Sequence, residues 1–194
     1  AGMSDPSCVI LGGEIDVAYA DSQRPSFTEL YERVYSFRNR NYIAEGYSAT
    51  ANTAMRRDVF QSVGGFGGRE IAEDQEWGLR ASAMGFRPVF RPTMVVHNAA
   101  RADFAALRRK WARHIAHQYN ERGTDTGWFF RALGLMVSPV LELGTVLRTP
   151  KLDGGYQRLL CFVCLCRMRA YRGWKMLDVV VRGKAEIEWN EPDD

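Results

Sequence analysis

The residue pattern changes character near residue 123, and one regular architecture cannot house both sides of the change. Before it, the 194-residue chain alternates short apolar strands with helices of ordinary length. After it come long aliphatic runs interleaved with arginine. Charge follows the same division. Residues 1–127 hold 16 Lys and Arg against 15 Asp and Glu, residues 128–182 hold 9 against 3, and the last twelve hold 1 against 5. The positive charge therefore belongs to one late segment, followed by an acidic end. A net charge of +3 and the absence of a base-reading motif leave no case for a nucleic-acid partner. With 46% hydrophobic residues the composition is that of a folded protein. Three of the four cysteines crowd into Leu159–Cys166 with no histidine nearby in sequence, so they read as small hydrophobes in a reducing compartment. Ala1–Ser7 is short and polar and does not read as a secretory signal.

In the first part, Cys8–Leu11 reads as a buried strand ended by Gly12 and Gly13, with Ile15, Val17 and Tyr19 alternating as a second strand. Ser26-Phe27-Thr28-Glu29 is a capping box opening a helix to about Arg40. Tyr47–Met55, rich in small polar residues, suits a strand or tight loop lining a pocket. Asp58 is placed to cap a short helix that stops at Gly64-Gly65, and glycine fills four of the five positions 64–68. A helix from about Glu73 to Met84 should end on Gly85. Pro88–Phe90 and Thr93–Val96 read as two strands, with His97 closing the second, and Asp103 caps a basic helix. Short α/β units are the result.

The tail obeys a different rule. Arg131, Ser138, Glu142 and Thr145 recur at helical spacing within the otherwise apolar Trp128–Leu147, and Pro139 should kink that helix. A polar stripe on a segment of this length favours a helix lying in a membrane interface over one crossing it. Leu159–Cys166 is too short to span and is followed by Arg167, Arg169, Arg172 and Lys175.

The chemistry-bearing residues lie between Gly46 and Tyr119. Glu73 and Asp74 open a helix beside a glycine-rich loop, where a carboxylate can act as a base and substrate can approach closely. The helix N-terminus favours the ionised form. Without further context the pair reads first as the usual acidic first turn of a helix. Arg56 and Arg57 could face phosphate oxygens or form a solvated surface pair. His97, a lone histidine at a strand end, reads as structural or solvated. Trp77 has a helical apolar setting that favours core, and Arg80 is placed to anchor structure.

In order, the chain offers Thr50-Ala51-Asn52-Thr53-Ala54-Met55-Arg56-Arg57, Val63-Gly64-Gly65-Phe66, Glu73-Asp74, Arg80, Gly85, Pro92 and Val96-His97. This resembles the C-terminal half of the catalytic domain of family 2 glycosyltransferases, which have the GT-A fold, over roughly residues 8–120. The resemblance implies an inverting transfer from a nucleotide-sugar donor to a glycan or lipid-linked acceptor. It makes Asp74 the base with Glu73 as its neighbour, and Asn52, Arg56, Arg57, Gly64, Gly65, Phe66 and Trp77 the substrate-binding set. It makes His97 a metal ligand, with Mn²⁺ or Mg²⁺ expected in a complete enzyme. The family's donor-binding half and its Asp-x-Asp motif have no counterpart here. Glu14-Ile15-Asp16 has the spacing but follows Gly12-Gly13, as the family's next strand does. The processive Gln-x-x-Arg-Trp signature is absent as well.

The expected architecture is therefore α/β, a partial GT-A (Rossmann-like) half-domain over 1–122. An amphipathic, basic helical region follows over 123–185, and an acidic end over 186–194. The chain alone is expected to be inactive, and to sit in the cytoplasm as a peripheral protein at the inner face of a membrane. The competing expectation is a non-catalytic membrane-associated binding module derived from such an enzyme.

Overall fold

A computed structural model describes residues 9–67, 72–101, 103–123 and 125–183. The start of the first expected strand at Cys8, Gly68 and the acidic end 186–194 lie outside them. The elements are β1 (Ile10–Ala18), α1 (Phe27–Tyr35), α2 (Asn39–Glu45), a 3₁₀ turn (Thr50–Asn52), β2 (Thr53–Met55), α3 (Arg57–Val63), α4 (Glu73–Ala83) and β3 (Val89–Ala99). α5 (Phe104–Arg122), α6 (Thr126–Val137), α7 (Pro139–Arg148) and α8 (Gly154–Arg182) follow. The described residues fall into two compact units, one drawn from 9–18 and 35–99, the other from 19–34 and 100–183. The basic helix α5 thus groups with the tail rather than with the α/β part.

The first unit is built on a sheet of order β2-β1-β3, with β1 antiparallel to β2 and parallel to β3. Two expected strands at each of two places prove to be one. Gly12 and Gly13 do not end β1; they let other groups come close to it. A Cβ on Gly12 would lie 2.3 Å from the Ser48 Oγ, and one on Gly13 would lie 1.9 Å from the Met94 carbonyl oxygen. In β3 the pairing jumps from Gly13 opposite Arg91 to Glu14 opposite Val95, so Pro92-Thr93-Met94 bulge out and the strand resumes through His97. The bulge removes the proline from the ladder, which has no use for a residue without an N–H. Asn39 is buried and stitches the layer above: its amide donates to the Gly13 carbonyl (2.7 Å) and its oxygen accepts from the Ala49 N–H (2.9 Å). Ile10, Val59, Val63, Trp77 and Ala81 form the core beneath.

In the helical unit the capping box forms as read. The Glu29 carboxylate accepts from the backbone of Ser26 and Ala20, both at 2.7 Å, and the Ser26 Oγ accepts from the Glu29 N–H. The helix it opens stops at Tyr35, and α2 begins afresh at Asn39, so the expected run to Arg40 is broken. Asp103 caps α5 by accepting from the Ala106 N–H at 2.7 Å. Asp58 does not cap α3. That helix starts after Arg56 without a side-chain cap, and Asp58 instead lies in its first turn.

The tail kinks where Pro139 opens α7, leaving α6 and α7 bent by 48°. α8 lies along them, and Gly173 brings the two backbones together, since a Cβ there would be 2.7 Å from the Ala132 carbonyl oxygen. Ile115, Trp128, Ala132, Met176 and Val179 form this unit's core, with Cys161 and Cys164 buried as free thiols. The polar stripe has a different use from the expected one. Glu142 turns toward α8 and pairs with Arg169 (3.5 Å), so part of the polar edge is half-buried. The apolar side faces outward at Phe129, Phe130, Val137, Val140 and Leu141, the last 85% exposed. No single described helix is long and apolar enough to cross a membrane; α6 and α7 pass that test only together, as a bent pair.

Candidate active site

Asp74 sits in the first turn of α4, in the wall of a narrow cleft of about 10 Å³, room for about one water. Tyr47, Ser48, Thr50, Thr53, Phe66 and Trp77 share that wall. The Asp74 Oδ1 accepts from the Gln75 N–H at 2.8 Å. Burial pushes its carboxyl above the usual aspartate value. The amides of Gln75, Asp74 and Thr50 pull the other way, and Glu73 adds to the rise. The helix N-terminus alone predicts a carboxylate held ionised; desolvation outweighs it here. Glu73, one residue earlier, is exposed.

The loop above the carboxylate is fixed from α4. Arg80 donates to the carbonyls of Val63 and Gly65 (2.9 Å to the latter), and the Trp77 Nε1 donates to the Gly64 carbonyl at 2.8 Å. Glu76 holds the same guanidinium at 2.8 Å. Gly64 takes φ +88°, a conformation closed to most side chains. Phe66 rests on Phe60 and Trp77, with ring centroids 5.7 and 5.4 Å away, and stays partly exposed. Arg80 is thus the loop's anchor.

The other expected site residues divide. Trp77 is 3% exposed and belongs to the core, so its ring offers no open face for stacking on a sugar. Asn52 is buried too, and its amide clasps the β3 bulge, donating to the Glu14 carbonyl (2.6 Å) and the Met94 carbonyl (3.0 Å). Both side chains are occupied within the fold, Trp77 through burial of its ring and Asn52 through the two carbonyls its amide serves. Arg56 is exposed and forked onto Asp58 at 3.0 and 2.6 Å, and Arg57 is exposed beside it.

His97 points its Nδ1 toward the Asp16 carboxylate at 3.7 Å. Sequence alternation correctly leaves Glu14 and Asp16 off the buried face of β1, but gives no hint that the β3 bulge brings His97 opposite Asp16. Among the described residues no three His, Cys, Asp or Glu side chains are grouped to hold a metal ion. The pair does not by itself amount to a metal site.

A family model described as "Glycosyl transferase family group 2" matches residues 16–175. No curated protein matches the chain.

Proposed function

The chain belongs to glycosyl transferase family group 2, and from that membership we propose that it forms the acceptor side of an inverting transfer from a nucleotide-sugar donor to a glycan or lipid-linked acceptor. The observation that carries this reading is Asp74: a desolvated carboxylate at the start of α4, under a glycine loop. The acceptor oxygen attacks the anomeric carbon as the bond to the nucleotide diphosphate breaks, and the hydroxyl proton passes to the Asp74 carboxylate. A base with a raised affinity for protons is better matched to that transfer than an ordinary aspartate. The cleft is too small for an acceptor as it stands, so the partly exposed Phe66 side chain has to swing aside for one to bind. Mn²⁺ or Mg²⁺ is proposed for a complete enzyme only, with His97 and Asp16 contributing and further ligands coming from elsewhere.

Donor binding is proposed to need residues outside this chain, so the purified 194 residues should release no sugar from any nucleotide sugar offered. In an enzyme that includes a donor-binding half, the anomeric proton coupling of the product should show the configuration opposite to the donor's. Retention of configuration ends the inverting assignment, and turnover by the isolated chain ends the proposal that it is incomplete.

We further propose peripheral attachment to the cytoplasmic face of a membrane through the outward face of α6 and α7. That face is apolar, and the segment 128–182 carries 9 − 3 = 6 net positive charges, suited to anionic lipid. The chain should sediment with phosphatidylserine-containing vesicles at low ionic strength and be partly released by high salt. Leu141→Asp should weaken this without lowering the melting temperature. A folded wild-type chain that stays in the supernatant at low salt rules the attachment out.

A further inference from the structure

We propose that the cavity bounded by α5, α6 and α8 in the helical unit binds a phosphate-type anion carried on an apolar body. The cavity holds about 460 Å³, within the range of small-molecule sites, and opens to solvent. Trp128 and Met176 supply apolar wall; Gln118, Arg131, Ser138 and Arg172 supply polar groups.

Arg172 is the lining residue that suits an anion. Its guanidinium carbon stands 3.6 Å from the centre of the Trp111 ring, which covers one face. Stacking leaves the in-plane N–H donors unfilled. Its Nε is wholly buried and therefore closed to the cavity, so contact with a ligand falls to its terminal nitrogens; no carboxylate among the described residues pairs with it. Burial pushes its pKa down to about 10, with Tyr31 opposing the fall and Arg169 adding to it, so it stays a cation at neutral pH. Arg169 has its own counter-charge in Glu142, whereas Arg172 has none. A guanidinium taken out of water without an anion is costly, and a phosphate in the cavity offsets that cost. Arg131 is a second donor held loosely at the rim, 3.5 Å from Asp125 and with its guanidinium carbon 5.5 Å from the Trp128 ring. The Ser138 Oγ donates to the Leu135 carbonyl at 2.8 Å and keeps lone pairs rather than a donor for the cavity.

One chemistry has two sources here, a lipid headgroup and a free phosphate. Calorimetric titration of the 194-residue chain with inorganic phosphate, and separately with short-chain phosphatidic acid below its micelle concentration, distinguishes them. We expect saturable binding of the phosphatidic acid. Arg172→Met should weaken it at least about 10-fold, the size of one lost charge-assisted hydrogen bond. Arg131→Gln, at an exposed position, should weaken it less and serves if Arg172→Met does not fold. Gly134→Leu leaves both arginines in place; a Cβ at Gly134 meets nothing within 4 Å, so the larger side chain can fold and obstruct the cavity. It should reduce binding of the lipid more than that of inorganic phosphate. Equal dependence of both probes on Arg172 identifies free phosphate as sufficient; binding of the lipid alone identifies the headgroup with its chains. No saturable binding of either probe, or affinities unchanged in Arg172→Met and Arg131→Gln alike, overturns the site.

Discussion

Asp74→Asn should lower turnover by about 10²-fold or more in an enzyme with its donor half, while raising the melting temperature of the chain itself. The two signs come from the same cause. Burial lifts the folded carboxyl's pKa above its unfolded value near 3.8, so the folded state binds the proton more readily than the unfolded one. The charged form is therefore a penalty on folding, complete above both pKa values and absent below the unfolded one. Asparagine removes that penalty at neutral pH and keeps an oxygen for the Gln75 N–H. The stability gain should be present at pH 7 and vanish as pH falls below about 4. Rate loss should appear in the maximal rate with donor affinity little changed, and the acid limb of the wild-type profile should lie above that of an ordinary aspartate. Thermal melts and steady-state kinetics check both halves. A variant that loses rate and stability together makes Asp74 a structural cap, not a base.

Local rules made part of this molecule legible from its residues. Ser26 and Glu29, Asp103, Gly85 and Pro139 each determine something within four residues of themselves, and each does in the fold what its chemistry dictates. Asp74 was legible for the same reason, as an acid at a helix start beside a glycine loop. What depended on distant contacts was not. Gly12 and Gly13 look like a strand end until Ser48 and the Met94 carbonyl are known to press on them. Pro92 looks like a break until the bulge is seen to accommodate it. Asn52 looks free for substrate because nothing near it in sequence reveals the Glu14 and Met94 carbonyls it serves. In the tail, periodicity announced two faces but not which one another helix would cover. Arg169, 27 residues after Glu142, decides that question by turning the carboxylate toward α8.

The same limit hides a buried carboxylate in the helical unit. Glu32 lies on the amphipathic face of α1 and resembles any surface acid, yet its side chain is 2% exposed. It accepts from Arg101 twice, from the backbone N–H at 2.7 Å and from Nη1 at 2.6 Å, and Lys110 lies 3.6 Å away. Burial already holds the Lys110 ammonium down to about 8, with Arg101 pushing the same way and Glu32 opposing both. Glu32→Ala therefore leaves two cations facing each other without their shared anion, one of them almost wholly out of water. The expected loss is roughly 3–5 kcal/mol, the range for removing one partner of a buried ion pair. Adding Lys110→Met should recover a good part of it, because the penalty is the stranded charge and not the missing bond alone. The deficit of Glu32→Ala should also shrink on raising the pH. The wild type already carries such a cost, with Lys110 held down to about 8, and losing Glu32 lowers that pKa further; the extra cost is present in full at low pH and disappears as pH rises through about 8. The buried thiols Cys161 and Cys164, pushed up to about 12, weaken both proteins over that range, and repeating the comparison with Lys110→Met assigns the change to Lys110. Chemical denaturation of both proteins at pH 7 and pH 9.5 reads the effect. A deficit that is small, or that does not change with pH or with Lys110→Met, means the carboxylate is not what keeps these cations in place.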